Sequence, residues 1–147
     1  MLGLDAWVRD SVATVPPAAR VLITAHDAFG YYGRAYGLEV AALQGFSTVS
    51  EASIADLAQT ADMIARRGVP AVFVETTINP RSIEALVEAA ANAGASVRIG
   101  PPLFSDALGA EGTPEGSYAG MIVHNTRAIV TALGGAPLPL PAIALLR

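Results

Sequence analysis

Cysteine is absent from the 147 residues, and so is lysine: all 9 basic side chains are arginine. Without cysteine there is no disulfide framework, no thiolate metal site and no cysteine nucleophile, so any metal chemistry falls to His, Asp and Glu. Without lysine no phosphate-clamping P-loop residue exists. Neither G-x-x-x-x-G-K-[ST], nor G-x-G-x-x-G, nor a nucleophile elbow occurs. Charge is sparse, 15% of residues, and its balance is acidic at -4. No basic stripe can displace counterions, which excludes nucleic acid as a partner. Long apolar runs are missing too. Although 52% of residues are hydrophobic and mean hydropathy is +0.46, Gly, Pro and acids interrupt every stretch well short of the roughly 18 residues of a membrane span. Asp5, Arg9 and Asp10 interrupt the first 20 residues, a pattern unlike a secretory leader, so no export signal is expected in this chain.

What remains is length for one domain with its own core and a regular alternation of apolar runs with helical patterns. Leu4, Trp7, Val8 and Val12 fall at helical spacing until Pro16 and Pro17 end the pattern. Val21 to Ala25, Leu38 to Leu43, Ala71 to Val74 and Val97 to Ile99 read as four strands. Between them lie a helix over Ala28 to Tyr36, one capped by Ser53 with Asp56 and stopped by Gly68, and one entered at Asn79 and Pro80 and running to Ala93. Thr113 and Pro114 predict the start of a last helix through Leu133. Strands that alternate with helices predict an α/β fold: a three-layer sandwich of about four parallel strands, order 2-1-3-4, with helices on both faces.

In such sheets the ligand crevice lies beyond the carboxyl ends of the strands, at the point where connections leave to opposite faces. His26 follows the first strand, Glu75 closes the third, and Asp106 sits in the loop after the fourth. An imidazole with carboxylates suits a borderline divalent cation, zinc or manganese rather than magnesium or calcium. Plainer readings stand beside this one. A lone His after a strand is more often a capping or partly buried polar residue than a ligand, and Asp106 can cap a turn. Asp27 is expected to cap the next helix, His124 to be an ordinary helix-surface residue, Tyr118 at most a rim residue, and Phe29, Tyr31, Tyr32 and Tyr36 to be packing. An acid–base pair of His26 and Glu75 in an enzyme, and a flavodoxin-like interaction module without metal, both remain open.

The ordered strings Thr24-Ala-His-Asp-Ala-Phe-Gly-Tyr-Tyr32, Arg34-Ala-Tyr-Gly-Leu38, Ala71-Val-Phe-Val-Glu75, Phe104-Ser-Asp-Ala-Leu-Gly109, Gly112-Thr-Pro-Glu-Gly-Ser-Tyr118 and His124-Asn125 resemble the solute-binding proteins of zinc and manganese ABC transporters. The resemblance spans residues 4 to 134. It implies a non-enzymatic receptor of two lobes joined by a long helix. The metal sits between the lobes, held by two histidines of the first lobe and by a His or Glu and an acid of the second. His26 matches the His-or-Glu position, Asp106 the acid, and Glu75 a supporting position from which it orients His26.

On this resemblance residues 1–15 are the end of the linking helix, 16–134 the C-terminal metal-binding lobe, and 135–147 an apolar, proline-rich tail that lies on the domain or trails from it. The partners implied are a divalent metal ion, the membrane permease of an importer and the missing N-terminal lobe. The location implied for the full family protein is the periplasm or an anchor at the cell surface. A homodimer is a further expectation, through residues 2 to 14 or through the metal-facing edge, where zinc could join His26 and Asp106 of two copies.

Overall fold

The longest buried run among the described residues builds a single strand. The computed structural model describes residues 2–44 and 53–142, and in it Val21–His26 forms β1 with all six residues buried. A strand covered on both faces has no reason to alternate apolar with polar residues, so Val-Leu-Ile-Thr-Ala reads continuously. β2 (Glu39–Gln44) pairs parallel with β1, placing Val21 opposite Glu39 and Ile23 opposite Ala41. β3 (Ala71–Val72) pairs parallel with β4 (Arg98–Ile99). Between the two pairs an isolated parallel bridge joins Thr24 to Phe73, with Phe73 N–H donating to the Ile23 carbonyl at 2.9 Å. The architecture is a mixed α/β fold, with parallel strands and, among the described residues, five α-helices.

β3 and β4 are shorter than their apolar runs predict, and two prolines are the cause. Gly100 N–H donates to the Val72 carbonyl at 2.8 Å, but Pro101 and Pro102 have no N–H to continue the ladder. Pairing resumes at Leu103, whose N–H reaches the Val74 carbonyl at 3.0 Å, giving an isolated bridge between Leu103 and Glu75.

The helices are α1 (Leu2–Ala13), α2 (Gly30–Tyr36), α3 (Ile54–Arg67), α4 (Arg81–Asn92) and α5 (Tyr118–Ala132). Ser53 Oγ accepts the Asp56 N–H at 3.1 Å and so caps α3, which ends at Gly68 in the left-handed region at φ 63°. α4 starts one residue later than the Asn79-Pro80 pair predicts, because Asn79 Oδ1 takes the Arg81 N–H at 3.1 Å from outside the helix. The last helix departs further from expectation. Pro114–Gly116 makes a single 3₁₀ turn, the chain extends at Ser117, and Ser117 Oγ then accepts the Gly120 N–H at 3.1 Å to open α5. Thr113-Pro114 is thus a start signal for one turn only, cut short by a glycine followed by a stronger cap.

α3 packs on α4, and α1 packs on α5 and α2. Leu4, Trp7, Val8 and Val12 of α1 are all buried within the chain's own core. That corrects the expected association through residues 2 to 14, since the apolar stripe of this helix is already covered. Part of the cover is the tail. Residues 135–142 run back along α1, where the Trp7 indole N–H donates to the Leu138 carbonyl at 2.8 Å, Leu138 N–H to Ser11 Oγ at 3.2 Å, and Ala136 N–H to Thr14 Oγ1 at 2.9 Å. Residues 143–147 lie outside the described residues. Trp7→Phe keeps most of the apolar contact and deletes one long-range hydrogen bond, so it is expected to cost about 1–2 kcal/mol in urea unfolding. Leu138→Ala, which keeps the carbonyl and trims a partly exposed side chain, is expected to cost less. The reverse order would mean that the indole bond does not hold the tail.

Candidate metal centre

His26 is the last residue of β1, and its ring lies in a nearly closed environment at 3% exposure. Glu75 follows β3 and is 1% exposed. The bridge between β1 and the chain around Phe73 brings these two strand ends side by side, so residues 49 apart in sequence meet. Glu75 Oε2 accepts the Ala25 N–H and Oε1 accepts the His26 N–H, each at 3.2 Å, while Oε1 also lies 2.8 Å from His26 Nδ1. A carboxylate oxygen already accepting from the backbone is an acceptor for the ring as well, so the imidazole proton sits on Nδ1. In the neutral ring His26 Nε2 then carries the lone pair. It faces Asp106 Oδ2 at 3.3 Å.

The opposing atoms are therefore two electron-pair donors. An imidazole nitrogen and a carboxylate oxygen turned toward each other in this way are brought into balance by a positive charge between them, a proton or a cation. The three residues singled out in the sequence thus come together in series: Glu75 behind, His26 between, Asp106 in front. Asp106 is the open end of the series, its side chain 57% exposed. Among the described residues no three His, Asp or Glu side chains are arranged to hold a metal ion. The buried position of Glu75, enclosed by backbone donors, also leaves it no approach to a substrate, which counts against an acid–base pair.

Further residues complete the surroundings. Thr24 Oγ1 donates to the His26 carbonyl at 2.9 Å, fixing the end of β1. Asn125, 2% exposed on α5, takes Phe104 N–H on Oδ1 at 3.0 Å and donates from Nδ2 to the Phe104 carbonyl at 2.8 Å. His124 is not an ordinary surface residue: its Nε2 donates to the Pro102 carbonyl at 2.9 Å and its ring meets Phe104 edge-on with centroids 5.0 Å apart. Asp27 does not cap α2, since Ala28 and Phe29 intervene and the cap position is Phe29. A groove of about 570 Å³ runs beside the site, lined among others by Phe29, Tyr32, Phe104, Ser105, Tyr118 and Asn125. Tyr32 is packing, as expected, but with its hydroxyl 2.8 Å from Thr126 Oγ1; burial holds its phenol well above the usual tyrosine range. Tyr118 stands at the rim, 60% exposed. In the sequence Thr24 and Asn125 stand only within the strings that carry the family resemblance, and of the two Thr24 alone is a polar residue inside an apolar run.

A sequence model of the family described as the zinc-uptake complex component A, periplasmic (ZnuA), matches residues 1–132. The chain belongs to this family. It is 53% identical over 130 residues to the zinc-binding protein TroA of Treponema pallidum (strain Nichols), covering 88% of this chain and 42% of that protein. It is 46% identical over 130 residues to the manganese-binding lipoprotein MntA of Bacillus subtilis (strain 168), with the same two coverages. Both relatives are more than twice as long as the part they share with this chain. The solved structure of the periplasmic zinc-binding protein TroA from Treponema pallidum superposes with a TM-score of 0.84, over 88% of this chain and 47% of that one, at 53% identity. The Fe(III)-bound YtgA of Chlamydia trachomatis superposes at 0.82, over 92% and 49%, with 28% identity. Residues 133–147 lie outside the family match.

Proposed function

We propose that this chain is the metal-gripping C-terminal lobe of a zinc or manganese receptor serving an ABC importer, with His26 Nε2 and Asp106 as its metal ligands and Glu75 as the residue that fixes the imidazole. The observation that carries this reading is the 3.3 Å separation of two electron-pair donors whose second ring nitrogen is already committed to Glu75. Two ligands at zinc distances in a tetrahedral shell stand about 3.3 Å from each other. The spacing therefore suits a metal between them with little movement of either side chain. The names of the relatives, zinc for TroA and manganese for MntA, support the class of cargo.

The remaining donors come from outside the described residues, from an N-terminal lobe packed over this edge or, in a dimer, from the same edge of a second copy. The metal is bound and released unchanged, and the permease of the importer receives it outside the cytoplasm. The chain acts on no substrate. Residues 1–15 end a helix linking the lobes, 16–134 form the metal-binding lobe, and 135–147 are a tail. Within the lobe the two strand pairs, joined at Thr24 and Phe73, form one sheet of order 2-1-3-4 with helices on both faces, which puts His26 and Glu75 at the change of direction between β1 and β3.

Calorimetric titration of the chain with zinc tests the reading. Four-ligand zinc sites in peptides supply about 10–16 kcal/mol, so half the donors give about 5–8 kcal/mol, a dissociation constant on the order of 1 μM to a few hundred μM. His26→Ala is expected to remove measurable binding and Asp106→Ala to weaken it at least about tenfold. Binding unchanged in both variants would favour an interaction module without metal function.

A further inference from the structure

Asp106 is placed by a chain segment that has only half a strand's worth of backbone partners. In an extended chain the N–H and C=O of successive residues point to opposite sides. Leu103 turns its pair toward β3's continuation, giving its N–H to the Val74 carbonyl at 3.0 Å and taking the Thr76 N–H at 2.8 Å. Of its neighbours, Phe104 turns its N–H and C=O the other way, and Pro102, which has no N–H, its C=O. A further strand on that side would satisfy them. Among the described residues β4 pairs with β3 alone, and two consecutive side chains of α5 take up the bonds instead. Asn125 gives Phe104 one acceptor and one donor, at 3.0 and 2.8 Å, and His124 Nε2 donates to the Pro102 carbonyl at 2.9 Å.

We propose that Asn125, assisted by His124, is the positioning residue of the metal centre: it stands in for a missing strand and so holds Asp106, two residues beyond Phe104, against His26. This assignment rests on the reading of His26 and Asp106 as metal ligands. A primary amide offers an acceptor and a donor side by side on a single planar group, as a neighbouring peptide would. Asp at this position has two oxygens and sets one of them against the Phe104 carbonyl. Asn125 is buried, so no water replaces the lost bond. Asp106, by contrast, is more than half exposed, and among the described residues no side-chain hydrogen bond holds it beyond its approach to His26 across the open end of the site. Its position therefore follows wherever Phe104 is held.

The test is zinc titration of the full chain followed by NMR at the His26 imidazole, which reads weak as well as tight binding. Asn125→Asp, near-isosteric, is expected to weaken zinc by about tenfold to hundredfold, the effect of losing a group that orients a ligand. His124→Ala, which frees only the Pro102 carbonyl, is expected to weaken it by a smaller factor and supplies a second variant on the less buried flank should Asn125→Asp not fold. Because Asn125 acts through Asp106, adding Asn125→Asp to Asp106→Ala is expected to cause no further loss. A role confined to fold stability predicts a lower melting temperature with unchanged zinc affinity in the folded protein, and that result overturns the assignment, as does a double variant that loses the full factor again. Zinc binding lost in Asp106→Ala yet retained in both Asn125→Asp and His124→Ala overturns this assignment alone. Binding indifferent to Asp106→Ala overturns the ligand reading and this assignment with it.

Discussion

Glu75→Ala is expected to lower unfolding free energy by about 3–5 kcal/mol, a large fraction of the roughly 5–15 kcal/mol that holds a domain of this size together. Three donors converge on this carboxylate: the Ala25 and His26 backbone N–H groups and His26 Nδ1. At 1% exposure no bulk water reaches them when it is gone, and each orphaned buried donor costs about 1–3 kcal/mol. The volume vacated adds to the loss. Urea unfolding measures it; a loss under about 1 kcal/mol would mean that β1 relaxes and finds other acceptors. Glu75→Gln separates the structural from the functional share. Its single amide oxygen can serve one backbone N–H, and its NH₂ must then face another donor or His26 Nδ1. If it faces the ring, the imidazole proton moves to Nε2 and the lone pair turned toward Asp106 disappears. Glu75→Gln is thus expected to weaken zinc by about tenfold or more at a smaller cost in stability than Glu75→Ala.

The legible parts of this chain were those where one local cause decides the outcome. β1 announced itself because a doubly covered strand is a continuous apolar run, and α3 because Ser53, Asp56 and Gly68 mark both of its ends within the chain's own sequence. The convergence of His26, Glu75 and Asp106 followed from strand ends gathering at one edge of a parallel arrangement, a rule of topology that needs no side-chain detail. What could not be read is where the outcome depends on two distant segments. β3 and β4 stop early because Pro101 and Pro102 interrupt a ladder whose other rail lies about thirty residues upstream. Asn125 and His124 looked like polar positions on a helix, and their role exists only because the backbone of residues 102 to 104 arrives beside them with unmet bonds. The orientation of the imidazole likewise hangs on two backbone N–H groups claiming Glu75 first.

Gly120→Ala turns the same dependence on a distant segment into a change of sign. Gly120 lies in the first turn of α5, where intrinsic propensity alone makes alanine the better residue by about 1 kcal/mol. A Cβ there, however, would overlap the Pro114 carbonyl oxygen and stand 2.5 Å from the Pro114 carbonyl carbon and 3.0 Å from Ser117 Oγ. Two of those atoms are backbone and cannot rotate aside. Either the Pro114–Gly116 turn moves off the helix or α5 starts later and gives up its Ser117 cap, worth about 1 kcal/mol by itself. Overpacking of this kind costs about 1–3 kcal/mol when atoms can shift and more when they cannot, so Gly120→Ala is expected to destabilise by about 3 kcal/mol despite its gain in propensity. Ser117→Ala, which loses the cap without the clash, is the comparison and is expected to cost about 1 kcal/mol. The displaced turn carries Glu115, whose carboxylate lies 3.6 Å from His124 Nδ1. The strain is therefore delivered to the residue that ties Pro102 to α5, and NMR shifts at Phe104 and Asp106 are expected to move along with the melting temperature. A Gly120→Ala protein that melts higher than the parent would show that the turn is loosely held and that helix propensity decides this position.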